Sequence, residues 1–135
     1  MAKVPDPEDS SFWDLVILGY YPKIVNFIYY LTQDRFLALA NWNINSTTSS
    51  SSKSFCTITA QINSNQPMIA VWNLSSGDSH AVVIRGFYEN TDVSPKVQQV
   101  YYADPGDGNY HITDYNWFAG NSSYIWVNTL YNIYV

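Results

Sequence analysis

Two residues of this 135-residue chain have the type and the setting that acid–base chemistry asks for. His80 stands at the mouth of an apolar run, Ser79-His80-Ala81-Val82-Val83-Ile84-Arg85-Gly86-Phe87-Tyr88. Asp104 closes another, Val100-Tyr101-Tyr102-Ala103-Asp104-Pro105-Gly106. If the two runs are strands that pair as neighbours, the imidazole and the carboxylate come together on a rigid sheet. An Asp that accepts a hydrogen bond from a His fixes its tautomer and stabilises its charged form. That is two thirds of a nucleophilic triad. Each residue also has a plain structural reading. His80 follows a Gly-Asp-Ser turn and can satisfy a neighbouring backbone carbonyl, and Asp-Pro-Gly is ordinary turn chemistry.

The nucleophile is the missing third. The only thiol is Cys56. Near the start of a short helix it would gain thiolate character, but a buried, inert cysteine is the plainer reading. His111 reads as an exposed or strand-edge histidine. Asp104, Asp107 and Asn109 echo a D-x-x-D-x-N calcium loop without the closing Glu that such a loop uses. Two His and one Cys at wide spacing make a poor zinc set. No metal and no cofactor is expected.

The elements that must position these residues can be read from pattern. Residues 1–11 are acidic and Pro-rich and read as a flexible tail, leaving 12–135 as a single domain. Phe12 to Tyr21 fits a strand or a short helix. From Pro22 to Leu39, apolar residues at spacings of three and four predict one or two amphipathic helices. Ser46 to Ser54 is low-complexity and reads as a flexible loop or internal linker. Phe55 to Asn63 carries Phe55, Ile58 and Ile62 on one helical face and stops before Pro67. Strands are then expected at Met68–Trp72, Ala81–Tyr88, Val97–Ala103 and Tyr110–Thr113. A helical turn is expected over Asp114–Phe118, and Tyr124–Leu130 with Tyr131–Val135 completes the sheet.

Composition narrows the function classes. Charged residues make up 13% and aromatics 17% of the chain, which is the opposite of a disordered composition. Net charge is −5 and Lys plus Arg total 6, scattered along the chain. That argues against nucleic acid and against an anionic membrane surface as partners. The apolar run from Phe12 to Leu18 is too short to span a bilayer, and Pro22 breaks any continuation of it. A soluble protein is expected. No signal-peptide pattern is visible, and one thiol does not fix a redox compartment, so the localisation stays unknown. Asn45, Asn73 and Asn121 head glycosylation acceptor triplets, which arise often by chance in an Asn/Ser-rich chain.

The order helix, Pro, strand, turn, His, strand, loop, strand, Asp-Pro resembles the C-terminal lobe of papain-like cysteine peptidases. It is most similar to the bacterial branch with bacteriocin-leader peptidases and effector proteases. Ile58, Ile62, Pro67 and Ile69 match the helix-to-strand step; His80 to Gly86 match the HAVVI.G strand; Val100, Asp104 and Pro105 match the V...DP strand end; Tyr115, Phe118 and Trp126 match the closing segment. The resemblance covers roughly residues 55–130. It implies an α+β fold, an antiparallel curved sheet or half-barrel with flanking helices, with 55–135 as the papain-like lobe.

The same resemblance implies that His80 is the general base and Asp104 its orienting partner, acting on a peptide or protein substrate. Such an enzyme also needs a Cys at a helix N-terminus and an upstream polar side chain for the oxyanion, both in the N-terminal lobe. Residues 1–54 contain no cysteine. The expectations are therefore a fragment, one half of a split enzyme whose second chain supplies that lobe, or a pseudoenzyme. The rival reading is a non-catalytic peptide- or glycan-binding module with an aromatic-rich surface. A further one is a structural or inhibitory partner.

Overall fold

The computed structural model describes residues 45–134. The tail, the Phe12–Tyr21 segment and the amphipathic helices expected before Leu39 lie outside the described residues. Six strands form one sheet in the order β1-β6-β2-β3-β4-β5, every pairing antiparallel. In chain order they are β1 (Asn45–Ser49), β2 (Met68–Leu74), β3 (Ser79–Asn90), β4 (Val97–Asp104), β5 (Asn109–Asp114) and β6 (Tyr124–Tyr134). Among the described residues two helices accompany them, α1 (Phe55–Asn63) and α2 (Tyr115–Ala119). The architecture is the α+β class expected, with β1 and β5 at the two edges.

Helix α1 forms where the pattern placed it, for local reasons. Ser54 is extended and its side chain accepts from the N–H of Thr57 at 3.1 Å, satisfying a donor that the helix itself cannot. The far end closes with Ser64 and with Asn65 in the left-handed region at φ 59°, just before Pro67. Phe55 and Ile58 are the buried face of this helix. They join Met68, Ala70, Trp72, Val82, Ile84, Val100, Phe118 and Trp126 in one core cluster. Alternate residues of β2 and β3 thus face the two helices, as the two-residue period of a strand requires. Met68 to Trp72 are buried without interruption, so β2 is covered on both faces, which is why its sequence is continuously apolar.

Ser46 to Ser54 departs from expectation. Its first part is strand, paired with the outer edge of β6, and the chain then crosses to α1. Backbone N–H and C=O groups drive that pairing and every residue carries them, so a Ser/Thr-rich run joins an edge without a hydrophobic signal. Thr129 Oγ1 donates to the carbonyl of Ser51 at 2.7 Å and holds the crossing in place. The end of the chain is likewise one strand rather than two. β6 continues through Tyr131, and Asn132 at φ 51° is tied to α1 through Gln61.

A register shift between Ile84 and Gly86 sets Arg85 out of the β3–β4 ladder. There Gly86 abuts Tyr101, and a Cβ on it would come within 3.2 Å of that ring. The bulge changes the phase of β3 relative to β4.

Candidate functional site

β3 begins at Ser79, two residues earlier than the apolar pattern suggested, so His80 is a strand residue. It stands opposite Trp72 in the β2–β3 ladder. Strands β3 and β4 are neighbours, with Val83 opposite Ala103 and Ile84 opposite Tyr102. That register brings the start of β3 past the end of β4, where Asp104 sits. Nε2 of His80 and Oδ1 of Asp104 are 2.7 Å apart. Both side chains are about one-fifth exposed, His80 at 20% and Asp104 at 19%, so the pair is neither sealed in the core nor fully solvated.

The acid is held from a second side. The backbone N–H of Gly106 donates to the same Oδ1 at 2.7 Å. Burial raises the carboxyl pKa. The hydrogen bonds from His80 and Gly106, with the charges of His80 and His111, outweigh it and leave Asp104 below its ordinary value. Asp104 is therefore an acceptor-only carboxylate at neutral pH. The shared proton belongs to Nε2, and Nδ1 is the basic nitrogen of the neutral ring.

The turn after β4 is built to deliver this geometry. Gly108 N–H donates to the carbonyl of Asp104 at 2.9 Å, and Gly108 itself sits at φ +72°, a conformation that glycine adopts without penalty. Gly106 passes so near that a Cβ there would lie 3.0 Å from Cε1 of His80 and 3.1 Å from Oδ1 of Asp104.

Aromatic rings wall one flank. Trp72 is buried, stacks on Tyr124 at 3.8 Å, and lies 6.0 Å from the His80 ring. Tyr102 meets Trp72 edge-on at 5.6 Å and stacks on His111 at 5.1 Å. Burial first, then Tyr124, Asp104 and Asp107, pushes the Tyr102 phenol up to about 12. Burial raises the phenol pKa of Tyr124 as well, against a hydrogen bond with Asn121 that lowers it.

His111 lies on edge strand β5, as expected of it, but it is paired. Its Nε2 is 2.6 Å from Oδ2 of Asp107. Sequence reasoning missed this pair. The signal was available as a His four residues after an Asp across a Gly-containing turn, a spacing too common to single out. Asn109, the third residue of the calcium-loop echo, serves the turn instead, its backbone N–H donating to Oδ1 of Asp107 at 2.8 Å.

Cys56 is exposed rather than buried, which corrects the expectation of an interior thiol. It lies on the outward side of α1, beside Phe55, whose ring packs against Phe87 at 5.9 Å. The length of β3 from Phe87 back to His80 is roughly 20 Å at the extended-strand rise. Phe55, the chain neighbour of the one thiol, thus packs seven residues along β3 from His80.

The sequence profile of the Peptidase_C39 like family matches residues 18–131. The chain belongs to that family. Membership in the Peptidase_C39 like family bears out the cysteine-peptidase resemblance read from residues 55–130 and makes this a cysteine-peptidase-like protein. No curated protein matches the chain. Among solved structures, the crystal structure of the Pseudomonas avirulence protein AvrPphB is similar over 85% of this chain and 70% of that one. At a TM-score of 0.33 and 8% identity, no residue correspondence is drawn from it. No helix among the described residues is long and apolar enough to cross a membrane.

Proposed function

We propose that this protein carries the acid–base half of a cysteine peptidase, with His80 as the general base and acid and Asp104 as the residue that orients it. The observation that carries the reading is the 2.7 Å contact between Nε2 of His80 and Oδ1 of Asp104, in a chain that belongs to a peptidase family. With Nε2 committed to the carboxylate, Nδ1 takes the proton of a cysteine thiol. The thiolate attacks a peptide carbonyl carbon, and the carbonyl π pair moves onto oxygen. When the tetrahedral species collapses, the C–N bond breaks and Nδ1–H gives its proton to the departing amine. Water, deprotonated at the same nitrogen, then releases the acyl group from sulfur. Cys56 is exposed on α1 rather than on the strands that carry His80 and Asp104, so the reading has the thiol supplied from outside this chain, by a second chain bearing the N-terminal lobe.

A second reading has its own support. The one thiol is exposed on α1, while Trp72, Tyr102 and Tyr124 gather beside His80. A non-catalytic module that binds a peptide or glycan would use those rings and no sulfur.

The test is hydrolysis of a peptide library by the protein isolated from its native source with its associated chains. Cleavage that His80→Ala abolishes and Asp104→Asn lowers by about 100-fold or more supports the peptidase reading. Saturable peptide or glycan binding without cleavage, lost on replacing Trp72 or Tyr102, supports the second. Cleavage unaffected by His80→Ala would remove the first altogether.

A further inference from the structure

The turn between β4 and β5 folds a second imidazole–carboxylate pair beside the first. Asp104 ends β4, Asp107 lies in the turn, and His111 stands on β5, facing Tyr102. One ligand atom from each of Asp104, Asp107 and His111 lies within 4.8 Å of the others. We propose that Asp104, Asp107 and His111 form a binding site for a first-row transition dication, with zinc the best-suited ion.

The donor set decides the class of ion. One imidazole nitrogen with two carboxylate oxygens suits zinc and its neighbours, whereas calcium asks for six to eight oxygens and magnesium for near-octahedral oxygen ligation. Zinc–ligand bonds of about 2.0–2.1 Å place tetrahedral donors about 3.3 Å apart, so donors now within 4.8 Å of one another need only draw together slightly. Both carboxylates are already steered by the chain, since Gly106 N–H holds Oδ1 of Asp104 and Asn109 N–H holds Oδ1 of Asp107. The stack on Tyr102 fixes the plane of the His111 ring. Groups that orient ligands in this way raise affinity by one to two orders of magnitude. Binding requires neutral His111 to present a nitrogen lone pair, so its contact with Asp107 gives way to two bonds to the ion, and any proton on that nitrogen leaves to solvent.

The site shares Asp104 with His80. An ion there draws on the same carboxylate that orients the imidazole, so occupancy opposes base catalysis; this consequence, unlike the binding itself, rests on the peptidase reading.

The experiment is titration of the full chain with zinc chloride by calorimetry and with cobalt(II) chloride by visible absorption. One equivalent is expected to bind saturably. His111→Ala and Asp107→Asn should each weaken binding at least about tenfold, while Cys56→Ser should leave it within about threefold. Circular dichroism spectra that match across the variants show that the losses are local. Absence of saturation, native affinity in His111→Ala and Asp107→Asn, or loss on Cys56→Ser overturns the proposal. Peptide hydrolysis with and without zinc reports separately. If no preparation cleaves peptide, the peptidase reading fails while the binding result stands.

Discussion

Oδ1 of Asp104 lies 2.7 Å from Nε2 of His80, and with a carboxylate as its partner that nitrogen is the donor. A carboxylate that only accepts must face N–H, so the lone pair of the neutral imidazole is on Nδ1. Removing the acid should therefore have a stability cost as well as a chemical one. Asp104→Ala leaves Nε2 of His80 and the Gly106 N–H with water as their only replacement partner. The expected loss is about 1–3 kcal/mol, read from urea unfolding at neutral pH.

The same contact has a pH signature. Burial works against ionisation of Asp104, but His80, Gly106 and His111 together hold its pKa below the ordinary value. A carboxyl depressed in the folded state binds fewer protons there than in the unfolded chain, so its stabilisation is present above about pH 4 and fades as pH falls through the lowered folded value. The stability gap between the native chain and Asp104→Ala should be full at about pH 6 and smaller at about pH 3, below the unfolded value. Urea midpoints at the two pH values check it. A gap that stays constant would show that Asp104 acts by packing alone.

Two glycines give a matched contrast. A Cβ at Gly106 would lie 3.0 Å from Cε1 of His80, close enough that the imidazole must shift by a few tenths of an ångström. Gly106→Ala should move the His80 ring resonances and lower any His80-dependent activity by about tenfold or more, given the cost of small misplacements of catalytic groups. Gly77 is the reverse case, at φ +94° with open space around it. Gly77→Ala should lower stability by about 1 kcal/mol through backbone strain and leave the His80 resonances where they are.

Tyr102 should be visible in alkali. Its phenol, pushed up to about 12 chiefly by burial, stays neutral where an ordinary tyrosine ionises near 10. A phenol whose folded pKa is raised contributes stability fully present below the unfolded value and lost as pH rises toward the folded one. In ultraviolet titration, Tyr102→Phe should remove amplitude from the step near 12 and none from the step near 10. The native chain should also lose more stability than Tyr102→Phe between about pH 10 and 12. Equal losses would show that the ring is better solvated than its neighbours imply.

Much of this was legible from residue types and spacing. The uninterrupted apolar run Met68–Trp72 identified a strand covered on both sides, because only such a strand lacks polar alternation. Phe55, Ile58 and Ile62, followed by Pro67, identified α1, since helical period and a residue that resists helix are both local properties. His80 and Asp104 stand out by type, as a base and an acid at the ends of adjacent apolar runs. The strand at Asn45–Ser49 was not legible, because an edge pairing made by backbone groups leaves no mark in a Ser/Thr tract.

The amino-acid order alone determined the family, the α+β class and the two residues singled out as an acid–base pair, since these depend on local period and residue type. Only the tertiary structure decided the rest: which nitrogen of His80 meets Asp104, that His111 and Asp107 crowd the same carboxylate, and that Cys56 is exposed on α1. Each of these depends on strand register and on the path of a turn. A shift of one residue in the β3–β4 pairing would turn His80 and Asp104 to opposite faces of the sheet.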